Sequence, residues 1–151
     1  MDKDLHIKKL SINDIVHFEQ LIKLFADIFE MKEFCMPKRA YLHKLLSKDD
    51  FHVFAVIKES SVIGGLTAYT LSQYYCEKPL AYIFDLAVSP QWQRQGVGKA
   101  LIQETKLYFQ QNGYEALFVQ AENADTHAVE FYRKTQPTTE DSVLHFTWEK
   151  Q

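Results

Sequence analysis

The sequence has little cysteine, little glycine and no block of like charge. Cys35 and Cys76 are its only cysteines. They form neither a C-x-x-C pair nor a zinc-ligand spacing, which excludes a disulfide scaffold and a zinc module. Two isolated thiols fit a reducing compartment. The net charge is −3 without a basic cluster. Duplex nucleic acid, whose affinity rests on clustered Lys and Arg, is therefore excluded as a partner. No apolar run reaches the roughly 18 residues of a membrane span, and the N-terminal MDKDLHIKKL lacks the apolar core of a signal peptide. A cytoplasmic protein without a membrane partner is expected. The sequence holds no H-E-x-x-H and no His/Cys cluster, so no metal is expected. It holds no repeat, low-complexity tract or linker, and its 151 residues suit one domain, 1–151.

What is present is a succession of strand and helix patterns. LHIKKL reads as a first strand. A helical stretch follows Asn13 and runs through Met31, with Phe18, Leu21, Phe25 and Ile28 at three-to-four spacing. PKRAYLHKLLS predicts a second, shorter helix. FHVFAVI (51–57), the turn KESS and VIGGLTAYTLS predict a hairpin. Within it, Gly64-Gly65 marks a bulge or a close backbone approach. AYIFDLAV (81–88) is almost wholly apolar, as a central strand buried on both faces should be. A helix over 97–111 ends at Asn112-Gly113, and ALFVQA (116–121) follows as another buried strand. Strand, helix and strand in succession imply a parallel, right-handed βαβ unit. THAVEFYRK (126–134) predicts a short helix and SVLHFTWE (142–149) a closing strand. The fold class is mixed α/β (α+β), a single domain with helices on both faces of a mixed central sheet. The first half of that sheet is antiparallel and the second half parallel.

Two of the five glycines stand in WQRQGVGKALIQ (92–103), where a loop gives way to a helix. Glycine costs conformational entropy, and one use for it here is to bring backbone N–H groups against a phosphate. Three nucleotide motifs compete. A P-loop needs G-x-x-x-x-G-K-[ST]; Gly98-Lys99 is followed by Ala100, and Gln93 holds the first glycine position, so that motif is excluded. A dinucleotide fingerprint needs a third glycine, where Leu101 stands, and a very tight turn, where seven residues separate Val88 from Gly96. Glu122 would have to imitate its ribose-binding acid. The third motif, Q/R-x-x-G-x-G/A, is fitted by QRQGVG, Gln93 to Gly98.

That stretch resembles the acetyl-CoA loop of the GCN5-related N-acetyltransferase (GNAT) superfamily. DLAVSPQWQRQGVGKALI has the length of that family's strand, loop and helix, and DTHAVEFYRK resembles its N-x-x-A-x-x-x-Y helix, with Ala128 and Tyr132 in place and Asp125 where asparagine is usual. The family's following L-G-F is replaced by Thr135-Gln136-Pro137. YIFDLAVSPQWQRQGVGKALI, VQAENADTHAVEFYRK and VLHFTWE are similar to aminoglycoside 3-N-acetyltransferases of the gentamicin type. The resemblance covers most of the chain and is specific from about Phe51 to Lys134.

The resemblance implies one N-acetyltransferase domain of the acyl-CoA N-acyltransferase fold, with acetyl-CoA as co-substrate and a small-molecule primary amine as acceptor, aminoglycoside-like or polyamine-like. Transfer would be direct, in a ternary complex, and the lack of a Cys or Ser nucleophile motif agrees. It implies that Leu86, Ala87 and Val88, with Gln93, Arg94, Gln95, Gly96, Val97, Gly98 and Lys99, hold the cofactor. Tyr132 would protonate the leaving thiolate, and a backbone N–H near Val88 would meet the oxyanion. It also allows a homodimer. The other readings are a protein lysine or N-terminal acetyltransferase and a non-catalytic acyl-CoA sensor, which would not require Asp85 and Tyr132.

Each candidate side chain has a plainer reading beside this one. Asp85 is a lone acid in an apolar strand: either local backbone donors cap it, or it faces the acceptor amine as a catalytic and substrate-binding group. Asp125 is a good N-cap for the helix that starts at Thr126, and it stands with Glu122 at a strand exit, where ligand crevices form in such sheets. Glu122 is either solvated turn charge or a contact for a cationic substrate. Tyr132 is either an aromatic on the core face of its helix or the general acid. His145 is a strand histidine or a substrate contact. Tyr69, Tyr74, Tyr75 and Tyr82 either fill core or wall an acceptor pocket, since such rings stack on sugars and cations.

Overall fold

The structure, a computed structural model, describes residues 4–150. The chain divides into two units, Met1–Gln120 and Ala121–Gln151. The first holds a five-stranded sheet in the order β1 (Leu5–Lys9), β2 (Phe51–Lys58), β3 (Ser61–Leu71), β4 (Leu80–Val88) and β5 (Ala116–Val119). Pairs β1–β2, β2–β3 and β3–β4 are antiparallel and β4–β5 is parallel. The mixed sheet read from the sequence is therefore present, and α3 (Val97–Gln111) makes the crossover between the parallel strands.

Alternation along β2 sends side chains to two different helical layers. Phe51, Val53, Ala55 and Ile57 pack with Phe18, Leu21 and Phe25 of α1 (Ile15–Ile28) and Leu42 of α2 (Arg39–Leu46). His52 and Phe54 turn to the other face, where both rings meet Phe109 of α3. The β2–β3 connection has Glu59 and Ser60 at φ 47° and 71°, the two left-handed residues of a type I′ turn. Ile63 has no partner between Val62 and Gly64, so a bulge precedes the glycine pair. A Cβ on Gly65 would lie 2.5 Å from the Phe54 carbonyl oxygen and 2.8 Å from Leu21. Both features expected of Gly64-Gly65 are thus met, the close approach by Gly65 itself.

Helix α1 ends at Ile28 and not at Met31. Glu30 takes φ 51°, its N–H donates to the Asp27 carbonyl, and that of Met31 donates back to Ala26 at 3.0 Å, which is a Schellman termination without glycine. Its N-cap is Asp14, one residue past Asn13. Helix α3 closes the same way with Gly113 at φ 81° and Tyr114 donating to Phe109.

Three strand expectations are corrected. β5 is half-exposed, not buried, because it ends the sheet with a neighbour on one side only. β4 is not buried on both faces: β5 pairs with Leu80–Ile83 alone, and Phe84 beyond that pairing is 58% exposed. The second unit holds α4 (Thr126–Lys134), and residues 142–149, expected as a closing strand, are not assigned as one among the described residues; an alternating sequence becomes a strand only when another backbone accepts its hydrogen bonds. His145 is accordingly an exposed residue of an irregular segment. Among the described residues, no helix is long and apolar enough to cross a membrane.

Candidate functional site

The site starts where β4 outruns its parallel partner. From Asp85 to Val88, β4 is paired only with β3. The Ser89 N–H donates to Ile63 at 2.7 Å in the same register. Alternation along the ladder then turns the backbone groups of Leu86 and Val88 away from β3, toward the edge that β5 leaves open. β5 does not pair with that edge.

The chain beyond Val88 is tied back to it. The Gln93 amide nitrogen donates to the Val88 carbonyl at 2.9 Å, after a single 3-10 turn over Pro90–Trp92. Gln93 thus shapes the loop. Gln95 does likewise, donating to the Gln91 carbonyl at 2.9 Å. Arg94 takes φ 62° and Gly96 φ 82°, so two left-handed residues reverse the chain immediately before the helix. Gly96 is the N-cap of α3 and supplies no side chain to cap it. The first helical bond runs from the Ala100 N–H to Gly96. The N–H groups of Val97, Gly98 and Lys99 therefore have no acceptor inside the helix. Val97 is buried and anchors this end. Gly98 has no positive φ; what it contributes is bare backbone, not left-handed freedom. The result is an uncapped helix N-terminus with its positive dipole end at the open edge of β4, suited to an anion.

Asp85 sits opposite Thr67, while Phe84 beside it has no partner, because the register slips by one residue between Thr67 and Ala68. Asp85 is half-buried, and burial pushes its carboxyl up. The rings around this bulge form a continuous set. Phe84 meets Tyr69 edge-on at 5.8 Å and Tyr82 at 6.2 Å, and Tyr82 stacks on Phe118 at 4.9 Å. Burial, with the Tyr41 and Asp85 charges behind it, pushes the Tyr69 hydroxyl up. Tyr69 and Tyr82 belong to this wall, whereas Tyr74 and Tyr75 are exposed and stack edge-on with each other. Phe84 is the ring that links the wall, and sequence reading missed it. Its signal was an aromatic beside the only acid of the strand, which shares a face with that acid only if a bulge intervenes.

On the α3 face, His52 Nε2 meets the Thr70 hydroxyl at 2.7 Å, and that hydroxyl meets the Tyr114 hydroxyl at 2.6 Å. Burial lowers the His52 pKa to about 4. This part-buried chain lies against Phe109 of α3.

In the second unit, the Asp125 carboxylate accepts from the Ala128 N–H at 3.1 Å, so it caps α4. Glu122 is exposed and its carbonyl accepts from the Asp125 N–H, closing the turn before the helix. Tyr132 is partly buried, with its ring 5.0 Å from Phe131. Ala128 and Tyr132 are four apart in one helix and so share a face. Among the described residues, no group of three or more His, Cys, Asp or Glu side chains is arranged to hold a metal.

Residues 18–136 match the Acetyltransferase (GNAT) family. Among solved structures, the chain is similar to the aminoglycoside acetyltransferase meta-AAC0020 from an uncultured soil metagenomic sample, crystallised with trehalose and with sisomicin. The identity is 49%, the TM-score 0.97, and 99% of each chain is covered. It is also similar to the aminoglycoside acetyltransferase HMB0005, again from an uncultured soil metagenomic sample, at 32% identity and TM-score 0.91 over 100% of both chains. AAC(6')-Iy in complex with CoA shares the fold, with 16% identity, TM-score 0.77 and coverage of 97% of this chain and 95% of that one. No curated protein matches the sequence.

Proposed function

The chain belongs to the GNAT acetyltransferase family, and we propose that it transfers an acetyl group from acetyl-CoA to a primary amine of an aminoglycoside. The observation that carries this reading is the junction of two features in one strand. The open edge at Leu86 and Val88 runs into an uncapped helix N-terminus, and Asp85 with its aromatic wall stands beside that edge. The similarity to two aminoglycoside acetyltransferases supports the acceptor class, one of them having been crystallised with sisomicin. The family match runs across residue 120, which supports reading both units as one N-acetyltransferase domain.

The residues fit the cofactor. The N–H groups of Val97, Gly98 and Lys99 would take its pyrophosphate, with the charges of Arg94 and Lys99 nearby, and Leu86 to Val88 would pair with its pantetheine arm along the open edge. Acetyl-CoA supplies the activated acyl thioester. Asp85 holds the acceptor ammonium and takes its proton, directly or through a water; a carboxyl raised by burial is the better base. The Val88 N–H stabilises the oxyanion. Tyr132 protonates the departing thiolate. Tyr69 and Phe84 stack on the acceptor sugar, and Glu122, Asp125 and His145 add contacts for its other amines.

A panel of amines assayed for CoA release tests the reading. Sisomicin and related aminoglycosides should be turned over with kcat/KM at least tenfold above spermidine or a lysine peptide. A preference for the peptide would make the protein a protein acetyltransferase, and binding of acetyl-CoA without release would make it a sensor.

A further inference from the structure

Helix α1 comes close enough to β3 to bond its backbone. Gly65 permits the approach, since a Cβ there would lie 2.8 Å from the Leu21 side chain. Gln20, one residue earlier in α1, is partly buried, and its side-chain oxygen accepts the Val62 N–H at 3.0 Å. The β3–β4 ladder ends at Gly64 and Val88. Val62 lies beyond it, so Gln20 supplies an acceptor that no residue of β4 can. Next to Val62 stands Ile63, which the bulge leaves without a partner in β2. A bulge disrupts its ladder locally, yet this one holds the end of β4: the Ile63 carbonyl accepts the Ser89 N–H at 2.7 Å. The same end of the hairpin makes a second tie to the loop. Lys58 Nζ stands 4.4 Å from the centre of the Trp92 ring, in the 3-10 turn that follows Ser89.

We propose that Gln20 is a positioning residue for the cofactor. It acts through two hydrogen bonds in series. Gln20 fixes Val62 at the bulge, and Ile63 of that bulge fixes Ser89, where β4 turns into the loop. Ser89 follows directly on Val88, to which the Gln93 side chain closes the loop. Once the Gln20 acceptor is lost, the bulge is no longer tethered to α1. Ser89 then moves with it, and the spacing between the end of β4 and the entry to α3 loosens. This role rests on the reading above, in which that stretch holds acetyl-CoA.

The test uses the full chain and two variants. Gln20→Leu keeps the bulk and removes the acceptor, whereas Gln20→Glu keeps an acceptor oxygen at the same reach. Measurements are made at about 0.15 M salt, where the added charge is screened beyond about 8 Å. In Gln20→Leu, amide exchange read by NMR should quicken at least threefold at both Val62 and Ser89 and stay within twofold of wild type at Leu66 and Ala68. In Gln20→Glu all four should stay within twofold. Calorimetry should show acetyl-CoA bound about three- to tenfold more weakly by Gln20→Leu, the range for one lost hydrogen bond, and within twofold of wild type by Gln20→Glu. kcat at saturating acetyl-CoA and KM for the amine should not move. A merely destabilised chain would instead lose kcat and keep its Kd. Faster exchange at Val62 with Ser89 unchanged overturns the proposal, and so does a Gln20→Leu variant that binds acetyl-CoA as tightly as wild type. A wild type that binds no acetyl-CoA overturns the cofactor reading and the proposal with it, whatever the exchange shows. Should Gln20→Leu fail to fold, the wild type decides, because coupling between two sites is reciprocal. Saturating acetyl-CoA should then slow the Val62 amide at least threefold more than that of Leu10, and equal slowing overturns the proposal.

Discussion

The Gln93 side chain donates to the Val88 carbonyl at 2.9 Å, so one hydrogen bond joins the end of the central strand to the loop that leads into α3. A net hydrogen bond is worth roughly 0.5–1.5 kcal/mol. Gln93→Ala should weaken acetyl-CoA binding by about that much, up to about tenfold in Kd, with the fold intact. Calorimetric titration with acetyl-CoA measures it; an unchanged Kd would mean that the loop holds its shape without the tether.

The two loop glycines should separate by mechanism. Gly96 stands at φ 82° with open space around its missing Cβ, so Gly96→Ala should lower stability by roughly 1–2 kcal/mol, the cost of a left-handed L-residue. Gly98 has no positive φ. Gly98→Val should therefore spare much of the stability and damage acetyl-CoA binding instead, by crowding the amides. Urea titration and calorimetry on both variants give the comparison, and equal damage to stability and affinity in the two would remove the distinction.

Asp85→Asn keeps the size and removes the charge. Amine turnover should fall by roughly 10²-fold or more, in the range of lost general base help, while acetyl-CoA affinity stays close to wild type. Burial raises the Asp85 carboxyl, so the folded state holds its proton more tightly than the unfolded chain does. Wild-type stability should thus improve relative to Asp85→Asn as pH falls through the raised pKa. A variant that is less stable at pH 7 with an unchanged rate per folded molecule would make Asp85 structural.

His52 gives the opposite sign. Its pKa falls from 6.5 unfolded to about 4 folded through burial, so the unfolded chain binds the proton first. Its stabilising contribution is complete above pH 6.5 and is lost as pH drops toward 4. His52→Phe should remove that slope. Denaturant midpoints for both proteins between pH 4 and 7 provide the check, and parallel curves would show that His52 does not titrate there.

Tyr132→Phe retains the ring and its packing against Phe131. kcat should fall by roughly 10²–10⁴, the range for a lost general acid, with little change in acetyl-CoA affinity. An undiminished kcat, measured with chemistry rate-limiting, would leave water as the proton donor.

The parts legible in the sequence were those with local causes. The α3 bounds followed from Gly96 at one end and Asn112-Gly113 at the other, and the hairpin followed from its turn and alternation. The sharp turn into α3 was legible because two of five glycines fell together, one of them at φ 82°. What stayed hidden depends on pairing. The slip that leaves Phe84 without a partner next to Asp85 is decided by β3, and the exposure of β4 by where β5 stops. Tyr74 and Tyr75, grouped by sequence with Tyr69 and Tyr82, stack apart from them as an exposed pair. The closing segment reads as a strand by composition, yet among the described residues 142–149 carry no strand assignment.

The central claim, acetyl transfer to an aminoglycoside amine, is tested most directly by mass spectrometry of sisomicin incubated with the protein and acetyl-CoA. The account predicts a product heavier by one acetyl group, formed in step with CoA release and strongly slowed by Asp85→Asn. Unmodified sisomicin after full consumption of acetyl-CoA with another amine would contradict it.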